Sequence, residues 1–196
     1  MKKNLKTSII YSAIVIMAII AIYLTGRSIV PDLIGSTQLG QSAPAAIPGQ
    51  SLIGKRAPAF ALPDIAGNSR SSSQLYGKPT VLVFWTTWNK PSADQIKILD
   101  DYDLNQKAQS QLVNSVTIDS QEDASVAISF LKRGGYTATA LLDASGAVTA
   151  AYNVKSLPAT YFISGDGTVR DVSAGLLSVD GIVEKVDNLL RNNVVQ

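Results

Sequence analysis

An uninterrupted apolar run, PTVLVFW at positions 79–85, sets the firmest limit on the fold. β-Branched and aromatic residues follow one another in it without polar alternation, which is typical of a strand buried on both faces. Strands of that kind belong to sheets that other elements cover on both sides. The run therefore predicts an α/β domain.

The segments around this run predict the other elements of that domain. We expect a short hairpin turning at 67–68, a helix over about 91–108, and a second buried strand in QLVNSVTID. An amphipathic helix that stops at 134–135, a third strand in ATALLD and a short helix in SGAVTAAYNV follow. A hairpin turning at 165–167 and an amphipathic helix in SVDGIVEKVDNLLRN close the pattern. This order of strands and helices predicts an α/β sandwich around a mixed sheet.

Upstream of the domain, residues 7–26 form a run without charge that follows three lysines in residues 1–6. Twenty helical residues span about 30 Å, the thickness of the hydrocarbon core of a bilayer. A cleaved signal peptide is the alternative, but its apolar region is shorter, about 7–15 residues, and 22–26 offers a poor cleavage site. We therefore predict a single-pass anchor in the cell membrane at 7–26, with a cytoplasmic basic tail at 1–6 and the C-terminal domain outside the cytoplasm.

Residues 27–53 are rich in Ser, Gln, Pro, Ala and Gly, a composition typical of a flexible linker between the anchor and a domain at 54–196. The formal charge of +2 hides an asymmetry. Four of the 17 Lys and Arg residues lie in 1–27, which leaves 13 against all 15 Asp and Glu residues. The folded part is therefore slightly acidic, and we expect no nucleic-acid partner.

The sequence contains no cysteine and no histidine. These absences exclude disulfides, thiolate chemistry, attachment of haem through cysteine, and zinc or copper sites built on Cys or His. We therefore expect no cofactor and no metal.

The chain contains, in this order, the segments GKRAPAFALPDIAG, SSSQLYGKPTVLVFWTTW and AAYNVKSLPATYFISGDGTV. Together they resemble the thioredoxin fold, and more narrowly the membrane-anchored thiol–disulfide oxidoreductases of the TlpA/ResA type within the wider redoxin group. The first, GKRAPAFALPDIAG, resembles the N-terminal hairpin of that family. The second, SSSQLYGKPTVLVFWTTW, resembles the strand that leads to its redox motif, and the third, AAYNVKSLPATYFISGDGTV, resembles its proline loop and final hairpin. The resemblance covers about 54–192 and implies a thioredoxin-like domain with an N-terminal hairpin extension.

The residues that carry the family's chemistry are missing. The resemblance implies Cys-x-x-Cys after Trp88, but Asn89-Lys90-Pro91-Ser92 stands there. The reaction needs a thiolate that attacks a disulfide, and a second thiol that resolves the mixed disulfide. An Asn amide is not a nucleophile, and Ser92 has no histidine to act as its base.

The resemblance also locates a buried acid of thioredoxins proper two positions before Trp85, where this chain has Val83. We therefore predict a redox-inactive domain that binds a protein or peptide, or serves as a structural subunit. The alternative is a thiol–disulfide oxidoreductase or antioxidant family member by descent that acts only with cysteines supplied by a partner.

The resemblance brings the degenerate motif beside Pro158, whose counterpart in the family is a cis proline. The backbone of Leu157 would then be available to an extended peptide, as in β-augmentation. Asn89 suits the cap of the following helix, with a proline in the first turn. Trp85 fits the core and Trp88 a partly exposed contact. The predicted peptide-binding residues are Trp88, Asn89, Lys90, Pro91, Ser92, Leu157 and Pro158.

Overall fold

The computed structural model describes residues 16, 17, 20 and 49–193. The chain divides into two compact units, Met1–Ala45 and Ala46–Gln196. Of the first unit, only three helical residues are described, so the predicted anchor at 7–26 lies outside the described residues apart from these three, as does the linker as far as residue 48. Within the described residues, no helix has both the length and the apolar character needed to span a bilayer.

The second unit is built on a five-stranded mixed sheet with the strand order β5-β4-β3-β6-β7. The three strands β3, β4 and β5 run parallel, and β6 and β7 are antiparallel to their neighbours. A separate antiparallel pair, β1 and β2, forms the N-terminal hairpin. The strands are β1 Ala61–Pro63, β2 Ser69–Ser71, β3 Thr80–Trp85, β4 Asn114–Ser120, β5 Thr139–Asp143, β6 Ala159–Ile163 and β7 Val169–Ala174.

Helices cover the sheet on both sides, as the apolar run predicts. Every residue of the central strand β3 is buried, and its side chains alternate between two hydrophobic clusters. One cluster includes residues of α1, α3 and α5, and the other includes residues of the N-terminal hairpin and α4. The helices are α1 Lys90–Asn105, α2 Lys107–Ser110, α3 Ala124–Gly134, α4 Ala147–Ala151 and α5 Val179–Asn193, with 3-10 turns at Gln50–Leu52 and Ser72–Leu75.

The sequence prediction is wrong about the end of the first helix. We expected it to continue to about residue 108, but α1 ends at Asn105 and a separate short helix follows. Gln106 leaves the helical conformation, with φ −106° and ψ 45°. The Ser110 hydroxyl donates to the Asp103 carbonyl, an acceptor that a continuous helix reserves for a backbone N–H. This side-chain bond accompanies the break.

Candidate functional site

The degenerate motif lies at the carboxyl end of β3, where the chain turns through 86–88 into α1. Asn89 is the N-cap of α1, and its Oδ1 accepts a hydrogen bond from the backbone N–H of Ser92 at 3.2 Å. Pro91 lies in the first turn, where its missing N–H costs nothing. The predicted capping role of Asn89 is confirmed.

The other two motif residues face in different directions. Lys90 forms an exposed ion pair with Asp94 at 2.7 Å, one turn along the helix, and such surface pairs contribute little to stability. Ser92 is 0% exposed, and its hydroxyl has no hydrogen-bond partner among the described residues. The second cysteine position, in the first turn of α1, is therefore closed off from solvent.

The segment directly before the neighbouring strand β6, here called the proline loop, contains Leu157 and Pro158 and meets the motif. The Leu157–Pro158 peptide bond is cis. The Asn89 Nδ2 donates to the Leu157 carbonyl oxygen at 3.4 Å, a bond that joins residues 68 positions apart. The structure thus brings the motif and the proline loop together, as the resemblance implies.

A groove of about 440 Å³ opens beside the motif. Trp88 stands at its rim with 72% of its surface exposed, whereas Trp85 is fully buried. Among the described residues, no acid lines the groove, and Lys155 is the one charged group in its wall. Its lining is formed by Trp88, Asn89, Ser120, Gln121, Thr149, Val154, Lys155, Ser156 and Leu157.

A larger cavity, of about 560 Å³, lies elsewhere, against the first residues of β4 and β5. Arg70 and Asp103 are the charged groups that line it, and Asp64 and Ser115 respectively already bond to them. The groove beside the motif is the better candidate site because an exposed tryptophan lines it.

Sequence reasoning missed one apolar residue on the other side of the proline loop. Leu176 is 50% exposed. The residue before it, Gly175, donates its N–H to the Pro158 carbonyl at 2.8 Å, and the residue after it, Leu177, donates its N–H to Gln95 of α1 at 2.7 Å. These bonds hold Leu176 beside the proline loop, and only the tertiary structure reveals that position.

Sequence reasoning also missed a buried acid near the motif. Val83 is fully buried, but Asp119 lies opposite Trp85 on the neighbouring strand β4 and is 0% exposed. Burial raises the pKa of Asp119 to about 8, and the Glu122 carboxyl adds to the shift. Neither Asp119 oxygen has a hydrogen-bond partner among the described residues. After burial, the neighbouring Glu122 carboxyl is the largest cause of the raised pKa of Asp119. A protonated acid therefore lies close to the place where thioredoxins have one.

Glu122 completes this arrangement. Partial burial alone would raise the pKa of Glu122, but the neighbouring Asp119 carboxyl and the hydrogen bonds from Thr87 outweigh that effect and lower it. Glu122 thus stays ionised beside a protonated Asp119.

Within residues 49–193 and the three described upstream residues, no cluster of three or more Asp and Glu side chains could hold a metal ion.

The mixed sheet, the cis proline beside the helix cap and the N-terminal hairpin define a thioredoxin-like protein. Residues 53–172 match the AhpC/TSA family, and the chain belongs to that family. It is 30% identical over 138 residues to the thiol-disulfide oxidoreductase ResA of Bacillus subtilis, a match that covers 70% of this chain and 75% of the relative. It is 29% identical to ResA of Geobacillus kaustophilus, covering 70% and 78%.

Solved structures agree with this assignment. A putative thiol:disulfide interchange protein DsbE from Chlorobium tepidum superposes with a TM-score of 0.62 at 25% identity, covering 69% of this chain and 95% of the other. The relatives are thus named for thiol–disulfide chemistry, whereas this chain has no cysteine.

Proposed function

We propose that this domain is a redox-inactive member of its family that binds an extended segment of another protein in the groove beside its degenerate motif. The observation that carries the proposal is Trp88, a large aromatic side chain with 72% of its surface exposed at the rim of that groove. Aromatic residues of this kind supply much of the energy of protein interfaces.

The chemistry of the motif favours binding over thiol exchange. Thiol exchange needs a thiolate, and the chain has none. Asn89 uses its side chain as a helix cap, and the Ser92 hydroxyl is shut inside the domain. The groups that remain available to a ligand are the exposed Trp88 side chain and the Leu157 backbone carbonyl, and both suit recognition.

The proline loop supports an extended ligand. Among the described residues, the Leu157 carbonyl receives only the long 3.4 Å bond from Asn89, so it can accept a stronger one from the backbone of a bound peptide. Trp88 and Leu157 then provide apolar contacts on the two sides of the peptide. Backbone pairing gives affinity in this mode, and the side-chain contacts give selectivity.

The proposal includes a location. The uncharged run at 7–26 tethers the domain to the cell membrane, and the lysines before it keep the N-terminus inside, so the domain acts outside the cytoplasm. Protease added to intact spheroplasts should then cleave in or near the linker and release the domain. Protection of the domain until the membrane is permeabilised would overturn this orientation.

The groove is tested by truncating its aromatic rim. Detergent-solubilised full-length protein captures its partner from membranes of the source cells, and mass spectrometry quantifies what is retained. Trp88→Ala should weaken capture at least about tenfold, because truncating an aromatic anchor costs ~2 kcal/mol and ~1.4 kcal/mol is one decade. Leu112→Ala is the matched control, since Leu112 is also exposed, at 55%, but lies outside the groove.

Two results would contradict the proposal. If Trp88→Ala remains folded and captures the same proteins as Leu112→Ala, the groove is not the interface. If the captured partner carries a dithiol and the two together reduce insulin disulfides, the domain is an oxidoreductase that borrows cysteines.

A further inference from the structure

The Glu122 carboxylate holds the loop at 86–88, which carries Trp88, in place. Glu122, in the turn between β4 and α3, accepts the Thr87 backbone N–H at its Oε2 and the Thr87 hydroxyl at its Oε1, both at 2.6 Å. These bonds cross 35 positions of the chain. Hydrogen bonds to an ionised carboxylate are about twice as strong as neutral ones. Because Thr87 directly precedes Trp88, the two bonds fix the backbone position from which the Trp88 side chain extends.

This arrangement, the Glu122 clasp, consists of the Glu122 carboxylate and the two Thr87 donors. Behind it lies Asp119, fully buried. The charged groups that face Asp119 are Glu122 and Asp143. No cation among the described residues acts on Asp119 to offset a negative charge there.

The proton of this acid group belongs on Asp119. Asp143 is engaged elsewhere, because one of its carboxylate oxygens accepts both the N–H and the hydroxyl of Thr149 at 2.8 Å. Glu122 is stabilised in its ionised form by Thr87. Two adjacent carboxylates in a buried site do not both ionise without a large cost. Among these three acids Asp119 is the most buried, and no donor in the described part of the chain bonds to it, so it keeps the proton.

We propose that Glu122 is the positioning residue of the Trp88 loop, and that the proton held by Asp119 keeps the Glu122 clasp closed. Loss of that proton places a second negative charge against Glu122, which weakens its hold on Thr87 and frees residues 86–88. The groove then loses its aromatic rim, and capture of a partner weakens. The effect on capture rests on the proposed binding function, whereas the effect on the loop does not.

The two tryptophans allow the loop to be observed directly. Full-length protein in detergent is labelled with 5-fluorotryptophan, which gives one ¹⁹F signal each for the buried Trp85 and the exposed Trp88, assigned with Trp88→Phe. We expect the Trp88 signal to shift and narrow as the pH rises from about 6 to about 9.5, with a midpoint near the Asp119 pKa of about 8. Narrowing reports a loop that has become mobile, which a change in local charge alone does not produce.

Three variants decide between the clasp and a general pH effect. Asp119→Asn stays neutral, so its Trp88 signal should keep the low-pH position and width throughout. Glu122→Gln removes both the charge that a deprotonated Asp119 would repel and one of the two acceptor oxygens of the clasp, so its Trp88 signal should be narrow at every pH and show no transition. Asp123→Asn is the matched control, because this neighbouring acid caps α3 by accepting the Ser125 N–H and keeps an acceptor oxygen for that bond when changed to Asn.

The outcomes separate cleanly. The proposal is overturned if the natural chain shows no transition, or if Asp119→Asn and Glu122→Gln titrate like Asp123→Asn. Should Asp119→Asn fail to fold, as judged by circular dichroism, Glu122→Gln alone decides. A transition at Trp88 that leaves partner capture unchanged would support the clasp and refute the groove as the binding surface.

Discussion

Asn89 offers the sharpest test of how the degenerate motif contributes to the fold. Its Oδ1 caps α1 through the Ser92 N–H at 3.2 Å, and its Nδ2 reaches the Leu157 carbonyl at 3.4 Å. Loss of an Asn cap costs typically ~1 kcal/mol. The second bond is long, and we expect it to add less than about 0.5 kcal/mol. Asn89→Ala should therefore lower the free energy of unfolding by about 1 to 1.5 kcal/mol.

Asn89→Asp separates the two bonds. The aspartate keeps the capping oxygen and loses the donor to Leu157. Its negative charge lies at the N-terminus of a helix whose first turn contains no acid, where it gains about 0.3–1 kcal/mol. We expect Asn89→Asp to equal or exceed the natural chain at neutral pH. A carboxylate stabilised in this way has a lowered pKa in the folded state, so the gain is present above its unfolded pKa and disappears as the pH falls through the folded one.

Urea unfolding followed by circular dichroism measures these differences, and a loss of 1 kcal/mol also lowers the melting temperature of a domain this size by about 2–4 °C. Asn105→Ala is the control, since its exposed side chain donates only to a carbonyl in the last turn of the same helix. That variant should stay within about 0.5 kcal/mol of the natural chain. If Asn89→Ala is as stable as this control but loses partner capture, Asn89 acts on a ligand and not on the helix.

Two further predictions concern the acid and the missing thiols. Burial raises the pKa of Asp119 to about 8 from an ordinary 3.8, so over that window the native chain holds a proton that the unfolded chain has lost. The free energy of unfolding should fall by up to ~1.4 kcal/mol per pH unit as the pH rises through this window. In urea titrations at several pH values, the free energy of unfolding of Asp119→Asn should change less with pH than that of the natural chain. An unchanged pH dependence would contradict the assignment of the proton to Asp119. The natural chain should not reduce insulin disulfides above a heat-killed sample, whereas Asn89→Cys combined with Ser92→Cys should form an internal disulfide and gain that activity; turnover by the natural chain would refute its redox inactivity.

Much of the fold could be predicted because its signals are local. The run at 79–85 is apolar throughout, and β3 is the central strand that it predicts. Glycines mark the two hairpin turns and the end of α3, where Gly135 adopts a left-handed φ of 66°. The end of α1 could not be predicted, because a side chain five residues beyond it, Ser110, bonds back to the helix.

The candidate site could be predicted only in part, because the residues that form it lie far apart in the chain. The family resemblance supplied Trp88 and Pro158, which lie far apart in the chain. No local signal shows that Asp119 lies opposite Trp85, because that neighbour relation depends on the register of two parallel strands. A weaker signal was available, since an acid at the carboxyl end of a buried strand in an α/β sheet points to the edge where functional sites gather.

The position of the acid bears on what the site does. An acid that serves a thiol must exchange its proton with that thiol during the reaction. Asp119 has no thiol to serve, and its strongest neighbour is Glu122, which holds the loop of the exposed Trp88. On the proposals made above, the proton of the buried acid contributes to the geometry of a binding surface rather than to a reaction. The absence of cysteine and the two 2.6 Å bonds that hold the loop of Trp88 both support the proposal of recognition over that of thiol exchange.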